Sequence, residues 1–275
     1  MKQTILKYIS LLAFLGSPFF SSQTFAAECE TGTVPATGCR IDISDITYTL
    51  TGDITSGPES AGIYFASDNA IVNYTGAISV STMGVAFNIN DNNNTMNMTG
   101  NINIAAETAA RHGVLFRRGE NNTFNLTGNI ITANTRGIGV YYAGGSANNG
   151  KVEGNITTTG DGAYGMRLNG SDSNDIMITG NITTSGTDGD SEAIFINNSD
   201  SNTITLSGSV QALGGDDQAI YINAGSDANT FGIESGATFL GDFENLGTNT
   251  VITNRGVMDG IENTGSIATF NNAQT

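Results

Sequence analysis

Phe124-Asn125-Leu126-Thr127-Gly128-Asn129-Ile130 is one copy of a pattern that returns along most of the chain. It reads apolar-x-apolar-Thr-Gly-Asn-Ile. Close copies end at Ile54, Ile78, Ile102, Ile130, Ile156, Ile182 and Val210. The motif glycines are Gly52, Gly76, Gly100, Gly128, Gly154, Gly180 and Gly208, so successive copies stand 24, 24, 28, 26, 26 and 28 residues apart. A fixed period in this range marks a solenoid, in which each repeat packs only on its neighbours.

Working outward from the motif, a second apolar-x-apolar segment follows each glycine. The series runs Ile63-Tyr64-Phe65, Val85-Ala86-Phe87, Val114-Leu115-Phe116, Ile138-Gly139-Val140, Met166-Arg167-Leu168, Ile194-Phe195-Ile196 and Ile220-Tyr221-Ile222. Alternation of period two is the signature of a strand with one buried face. Stacking the repeats aligns the first member of each triplet in one interior column and the third in the next. The motif strands add a column of Leu50, Tyr74, Met98, Leu126, Val152, Ile178 and Leu206. Two strands and their turns leave room for a third short strand. The fold expected is therefore all-β, a right-handed parallel β-helix of about 24–28 residues per coil. Polar corners rich in Asp, Asn and Ser, such as Asp91 to Asn94 and Ser199 to Asn202, separate the coils and suit turn chemistry better than Ca²⁺ binding.

Four segments follow from this reading. Residues 1–26 read as a secretory signal, with Lys2 and Lys7 ahead of a short apolar run and Ala26 before the cut. Residues 27–44 form an N-terminal cap. Cys29 and Cys39 lie there, ten residues apart. In an exported chain this spacing favours a disulfide over a metal site or two free thiols. Residues 45–240 form the coils. Residues 241–275 tighten to a nine-residue beat through Asn245, Asn254, Asn263 and Asn272. Three nines make 27, so each nonapeptide is expected to form one side of a three-sided coil. The beat runs to the last residue without a capping segment, and a continuation is expected in a natural chain.

Composition narrows the function. With 10 Lys and Arg against 26 Asp and Glu the net charge is −16, and losing Lys2 and Lys7 makes it −18. Such a surface repels nucleic acid. Phosphate cradles and Ser-His-Asp sets are missing, and the one histidine, His112, has no His or Cys companion; it reads as a solvated turn residue. No cofactor and no metal are expected. Gly215-Asp216-Asp217 resembles the paired-Asp motif of polygalacturonases, and paired carboxylates could act as acid and base on a glycosidic bond. That family's other motifs do not accompany it. Asp188, Asp190 and Glu192 sit at a similar turn one repeat earlier, which favours a polar corner. One anomaly remains. Of the eight Lys and Arg beyond residue 26, Arg111, Arg117, Arg118 and Arg136 fall in two adjacent coils. Tyr141 is expected beside Arg117 on the outer face, with Leu115 and Tyr142 nearby. This cation–aromatic patch is the candidate binding site, against the plainer reading of charges that keep a β face soluble.

The signal, the cysteine pair, the Thr-Gly-Asn-Ile coils and the run Ile252 to Ile267 together resemble the passenger region of bacterial autotransporters, over residues 40–275. The resemblance implies export to the cell surface, outer membrane or medium, and adhesion without catalysis. It implies a receptor or glycan on a host or neighbouring cell as partner, and an outer-membrane barrel as translocator if the chain is a fragment. The competing functions are a secreted β-helix polysaccharide lyase or glycoside hydrolase, and a passive stalk.

Overall fold

The computed structural model describes residues 27–56, 61–105, 110–187, 191–214 and 218–273. The signal segment lies outside them, as do Asp188, Asp190 and Gly215-Asp216-Asp217. Every regular element among the described residues is a β-strand, and every strand pairing is parallel. The chain is a parallel β-helix, and most coils have three sides. In one such coil Thr123–Thr127 forms the first side, Ile130–Thr132 the second and Ile138–Ala143 the third. The first sides stack into an eleven-stranded sheet. The second and third sides form two further stacks, joined through the strand Thr238–Asn245 into one seventeen-stranded sheet. The short strand expected from spare length is the second side, which begins at the isoleucine of each motif.

Each letter of the motif has a physical reason. Leu126 points inward, in register with Met98 on one coil and Val152 on the next. Gly128 has φ +151°, and a Cβ there would lie 2.0 Å from the carbonyl oxygen of Gly100 in the neighbouring coil, so only glycine lets the corners close together. The Asn129 amide N–H donates to Oδ1 of Asn101 at 2.9 Å, and Oδ1 of Asn129 accepts from the amide of Asn155 at 2.8 Å. Ile130 opens the second side and is fully buried between Ile102 and Ile156.

A second ladder closes the opposite corner. Asn94, Asn122, Asn148, Asn174, Asn202 and Asn229 are buried, one per coil. Oδ1 of each accepts the backbone N–H one coil earlier, as from Asn122 to Asn148 at 2.9 Å. Residues that read in the sequence as polar turn corners are thus interior hydrogen-bonding pieces, which give buried backbone donors a partner where no strand ladder reaches.

The interior columns stand as expected, with one correction. The third-side columns run Ile63, Val85, Val114, Val140, Met166, Ile194, Ile220 and Phe65, Phe87, Phe116, Tyr142, Leu168, Ile196, Ile222. At Ile138–Ala143 the register lies two residues from the expected one, so Val140 takes the place given to Ile138, and Tyr142 that given to Val140. Tyr142 stacks on Phe116 at 4.5 Å, extending the Phe65–Phe87–Phe116 pile inside the helix. Gly150 makes this fit, because a Cβ there would stand 2.0 Å from the Tyr142 hydroxyl.

Cys29 and Cys39 form the disulfide, and Cys39 is buried at the head of the column that continues with Ile63. At the other end the three-nonapeptide coil is overturned. Asn245 pairs with Asn263, and Asn254 with Asn272, each 18 residues on. Two nonapeptides complete this turn. Thr238–Asn245 runs continuously past the break that separates second and third sides elsewhere, with only an irregularity between Phe239 and Asp242.

Candidate functional site

Outward positions of the third side carry the unusual chemistry. Val114 and Phe116 point in, so Leu115 and Arg117 point out. Leu115 pairs with Tyr141, Tyr141 with Arg167, Arg167 with Phe195 and Phe195 with Tyr221, making one outer column. Two residues along, Arg117, Ala143, Asn169 and Asn197 make the next. Because of the two-residue register difference, Tyr141 is level with Leu115, and Ala143 is level with Arg117. The expected side-by-side stacking of Tyr141 on Arg117 is corrected accordingly.

Tyr141 and the two arginines nevertheless meet. Arg117, Arg118, Tyr141, Ala143, Gly144, Asn169 and Gly170 line an open notch of about 390 Å³. Ala143 and the two glycines form its low floor, with arginines at one end and the Asn169 amide at the other. Asn169 is held in place, since its Oδ1 accepts from Nδ2 of Asn197 at 2.7 Å. Arg118 has φ +55°. Gly144, Gly170 and Asn198 occupy the corresponding place in the next three coils. The left-handed region costs a long side chain about 1–2 kcal/mol, so arginine here is a local departure from what the corner prefers.

Arg111 and Arg136 do not line the notch. Arg111 precedes the strand His112–Arg117 and Arg136 precedes Ile138–Ala143, in the corners at the other end of the same side. Six strand residues separate the two ends, roughly 17–20 Å at about 3.3 Å per residue. The four arginines therefore form two groups. Arg167, which the sequence reading passed over, stands between them. Its guanidinium carbon lies 5.7 Å from the Tyr141 ring centre, 5.1 Å from Tyr164 and 5.2 Å from Phe195. The sequence signal for it was the triplet Met166-Arg167-Leu168, whose middle member points out.

His112 is a strand residue, half-buried, and not a solvated turn. Its ring meets Tyr141 edge-on at 5.0 Å. Burial, with Arg167 and then Arg111 nearby, lowers its pKa to about 4, so it is neutral at pH 7. Nε of Arg111, Nε of Arg167 and Nδ1 of His112 are buried and have no hydrogen-bond partner among the described residues. None of Arg111, Arg117, Arg118, Arg136 or Arg167 is in an ion pair among the described residues. This face offers positive charge that no carboxylate among the described residues neutralises by an ion pair.

With the geometry in hand, comparison supplies a lineage. The family described as periplasmic copper-binding protein (NosD) matches residues 37–235, the three-sided coils almost from end to end. The chain belongs to that family. No curated protein and no solved structure matches it. The family's description invites a test for copper, which takes thiolate, thioether or imidazole donors. Here Cys29 and Cys39 are bonded to each other, Met96, Met98 and Met166 face the closed interior, Met83, Met177 and Met258 lie in separate coils, and His112 stands without another His. Among the described residues no three His, Cys, Asp or Glu side chains converge. They do not fit a copper centre.

Proposed function

We propose that this member of the NosD family is an exported, non-catalytic rod that acts in adhesion at the bacterial surface, with Arg117, Arg118 and Tyr141 as the centre of its binding face. The observation that carries the reading is the notch itself. It concentrates two exposed arginines on a chain of net charge −16, and no carboxylate, histidine or thiol lines it. Such a lining binds but offers no acid–base pair for chemistry. The parallel β-helix supports the reading mechanically, because a stack of coils presents one rigid, straight face. Neither the periplasmic description nor the autotransporter-like repeats conflict with export, and surface display is the further step proposed.

Replacing Arg117 and Arg118 by Glu in the full chain tests it. Retention on target cells should be lost while the circular-dichroism spectrum is unchanged. Binding by the unmodified protein should weaken as salt rises, since exposed charges are screened over about 8 Å at physiological ionic strength. Full retention by the double variant would overturn the reading. Release of sugar fragments from a polysaccharide by the purified protein would instead favour the lyase or hydrolase alternative.

A further inference from the structure

The reading above leaves the ligand open, and the residues around the notch narrow it. We infer that this face binds a linear acidic polysaccharide, carrying uronate or sulfate groups, laid along the axis of the helix with one acidic sugar seated in the Arg117–Arg118–Tyr141 notch. The inference rests on the proposed binding role of that face and names its ligand.

Shape comes first. A volume of about 390 Å³ over an Ala143, Gly144 and Gly170 floor admits a sugar-sized group, and the notch is open rather than enclosed. An open site suits an internal unit of a chain that continues in both directions. The outer columns continue too. From the notch, Asn169 leads to Asn197 and Tyr141 leads through Arg167 to Phe195 and Tyr221, one residue per coil at about 4.8 Å spacing.

Charge and hydrogen bonding then select the chemistry. Arg117 and Arg118 in one coil and Arg167 two coils on favour anionic groups spaced along the axis. The aromatic rings do the same. Tyr164, Phe195 and Tyr221 stack on one another at 5.3 and 5.4 Å, so stacking turns their edges, more than their faces, to the outside. A ring edge is the positive end of its quadrupole, which suits acid groups better than the flat apolar side of a neutral sugar. The Asn169 and Asn197 amides are donors and acceptors of the kind hydroxyl groups require. A ligand with acid groups, hydroxyls and linear repetition meets all of these features.

The test uses the full chain after export. Binding is measured to polygalacturonate and to dextran sulfate, with dextran as the neutral polymer, and with polyglutamate and duplex DNA as other polyanions. At least one acidic polysaccharide should bind at least tenfold more tightly than any of the three comparison polymers. Equal binding to polyglutamate or DNA would overturn the inference in favour of bulk charge. Ala143→Phe, which fills the notch without altering charge, and Asn169→Ala, which removes the amide, should each weaken acidic-polysaccharide binding at least fivefold with an unchanged melting temperature. If both leave it unchanged, the notch is not the seat and the inference falls. Failure of the inference separates from failure of the adhesion reading. Cells still retained through Arg117 and Arg118, with no acidic polysaccharide bound, would sink the first and keep the second.

Discussion

Asn148 and Arg118 belong to the same stack of corners and obey opposite rules. Asn148 is buried, accepts from the Asn122 amide at 2.9 Å and donates to the Gly119 carbonyl at 3.1 Å; its own amide donates to Asn174 at 3.0 Å. Arg118, one residue before Gly119, is exposed, sits in a left-handed conformation that its neighbours give to Gly or Asn, and has no ion-pair partner among the described residues. Inside the corner these polar atoms are paired. Outside it, charge and strain are left standing. In a repeat protein the regular positions are settled by stacking, so a departure that brings no stacking gain points to a surface selected for something else.

The largest expected effect tests the regular side. Ile196 and Asn197 are consecutive residues on opposite faces of one strand. Ile196→Asp places a charge without a partner between Leu168 and Ile222, and should cost more than about 4 kcal/mol, enough to unfold the coils. Asn197→Asp on the outer face should cost less than about 1 kcal/mol. Urea titration of the two variants measures the contrast, and similar losses would break it.

Next comes the ladder. Asn148→Ala leaves the Asn122 amide and the Gly119 carbonyl without their partners, both inside the corner. A loss of about 3 kcal/mol is expected, at the usual 1–3 kcal/mol for each buried group left unpaired. A thermal shift close to zero would mean that water replaces the side chain and that the ladder is decoration.

A smaller effect comes from His112, which belongs to the irregular face. Its pKa is about 4 in the folded protein and 6.5 when unperturbed. The unfolded chain therefore binds a proton between these values while the folded one does not. Stability is fully present above pH 6.5 and declines as pH falls toward 4, by about 2 kcal/mol once the partial exposure of the ring is allowed for. His112→Gln should lack this component. Parallel melting curves from pH 7 to pH 4 for the two proteins isolate it from the titration of other groups.

Much of this was legible in the sequence, and the misses have physical causes. The period, the inward columns and the cysteine pair follow from residues that alternate or recur, because a stacked interior forces identical positions to meet. Tyr142 was misplaced because its inward position depends on Gly150, a residue on another side of the coil. The 18-residue coil was misjudged because a nine-residue beat fixes the length of a side but not how many sides close a turn. The corner asparagines read as turn residues, but not as a buried ladder, since nothing local distinguishes an Asx turn from one. At the candidate site the arginines were visible as an excess of charge. Arg167, Asn169 and the small floor at Ala143 and Gly170 were not, because they join the notch through register between coils.

The smallest expected effect distinguishes the two sides of the corner most directly. Arg118→Gly gives the turn the residue that Gly144 and Gly170 already supply in the next two coils. Relief of the left-handed strain favours the variant by about 1–2 kcal/mol, and the extra freedom of glycine in the unfolded chain returns up to about 1 kcal/mol of that. A net gain of about 0.5–1 kcal/mol should therefore raise the melting temperature slightly. Binding should move the other way, because one of the two notch arginines is gone. A stabilised protein with weakened retention on cells would show that the corner gives up stability to hold a charge outward. A destabilised variant would mean that the aliphatic part of Arg118, whose Cγ lies 3.1 Å from where a Cβ on Gly144 would stand, is packing the corner. Arg118 would then obey the same rule as Asn148, and the contrast between them would be lost.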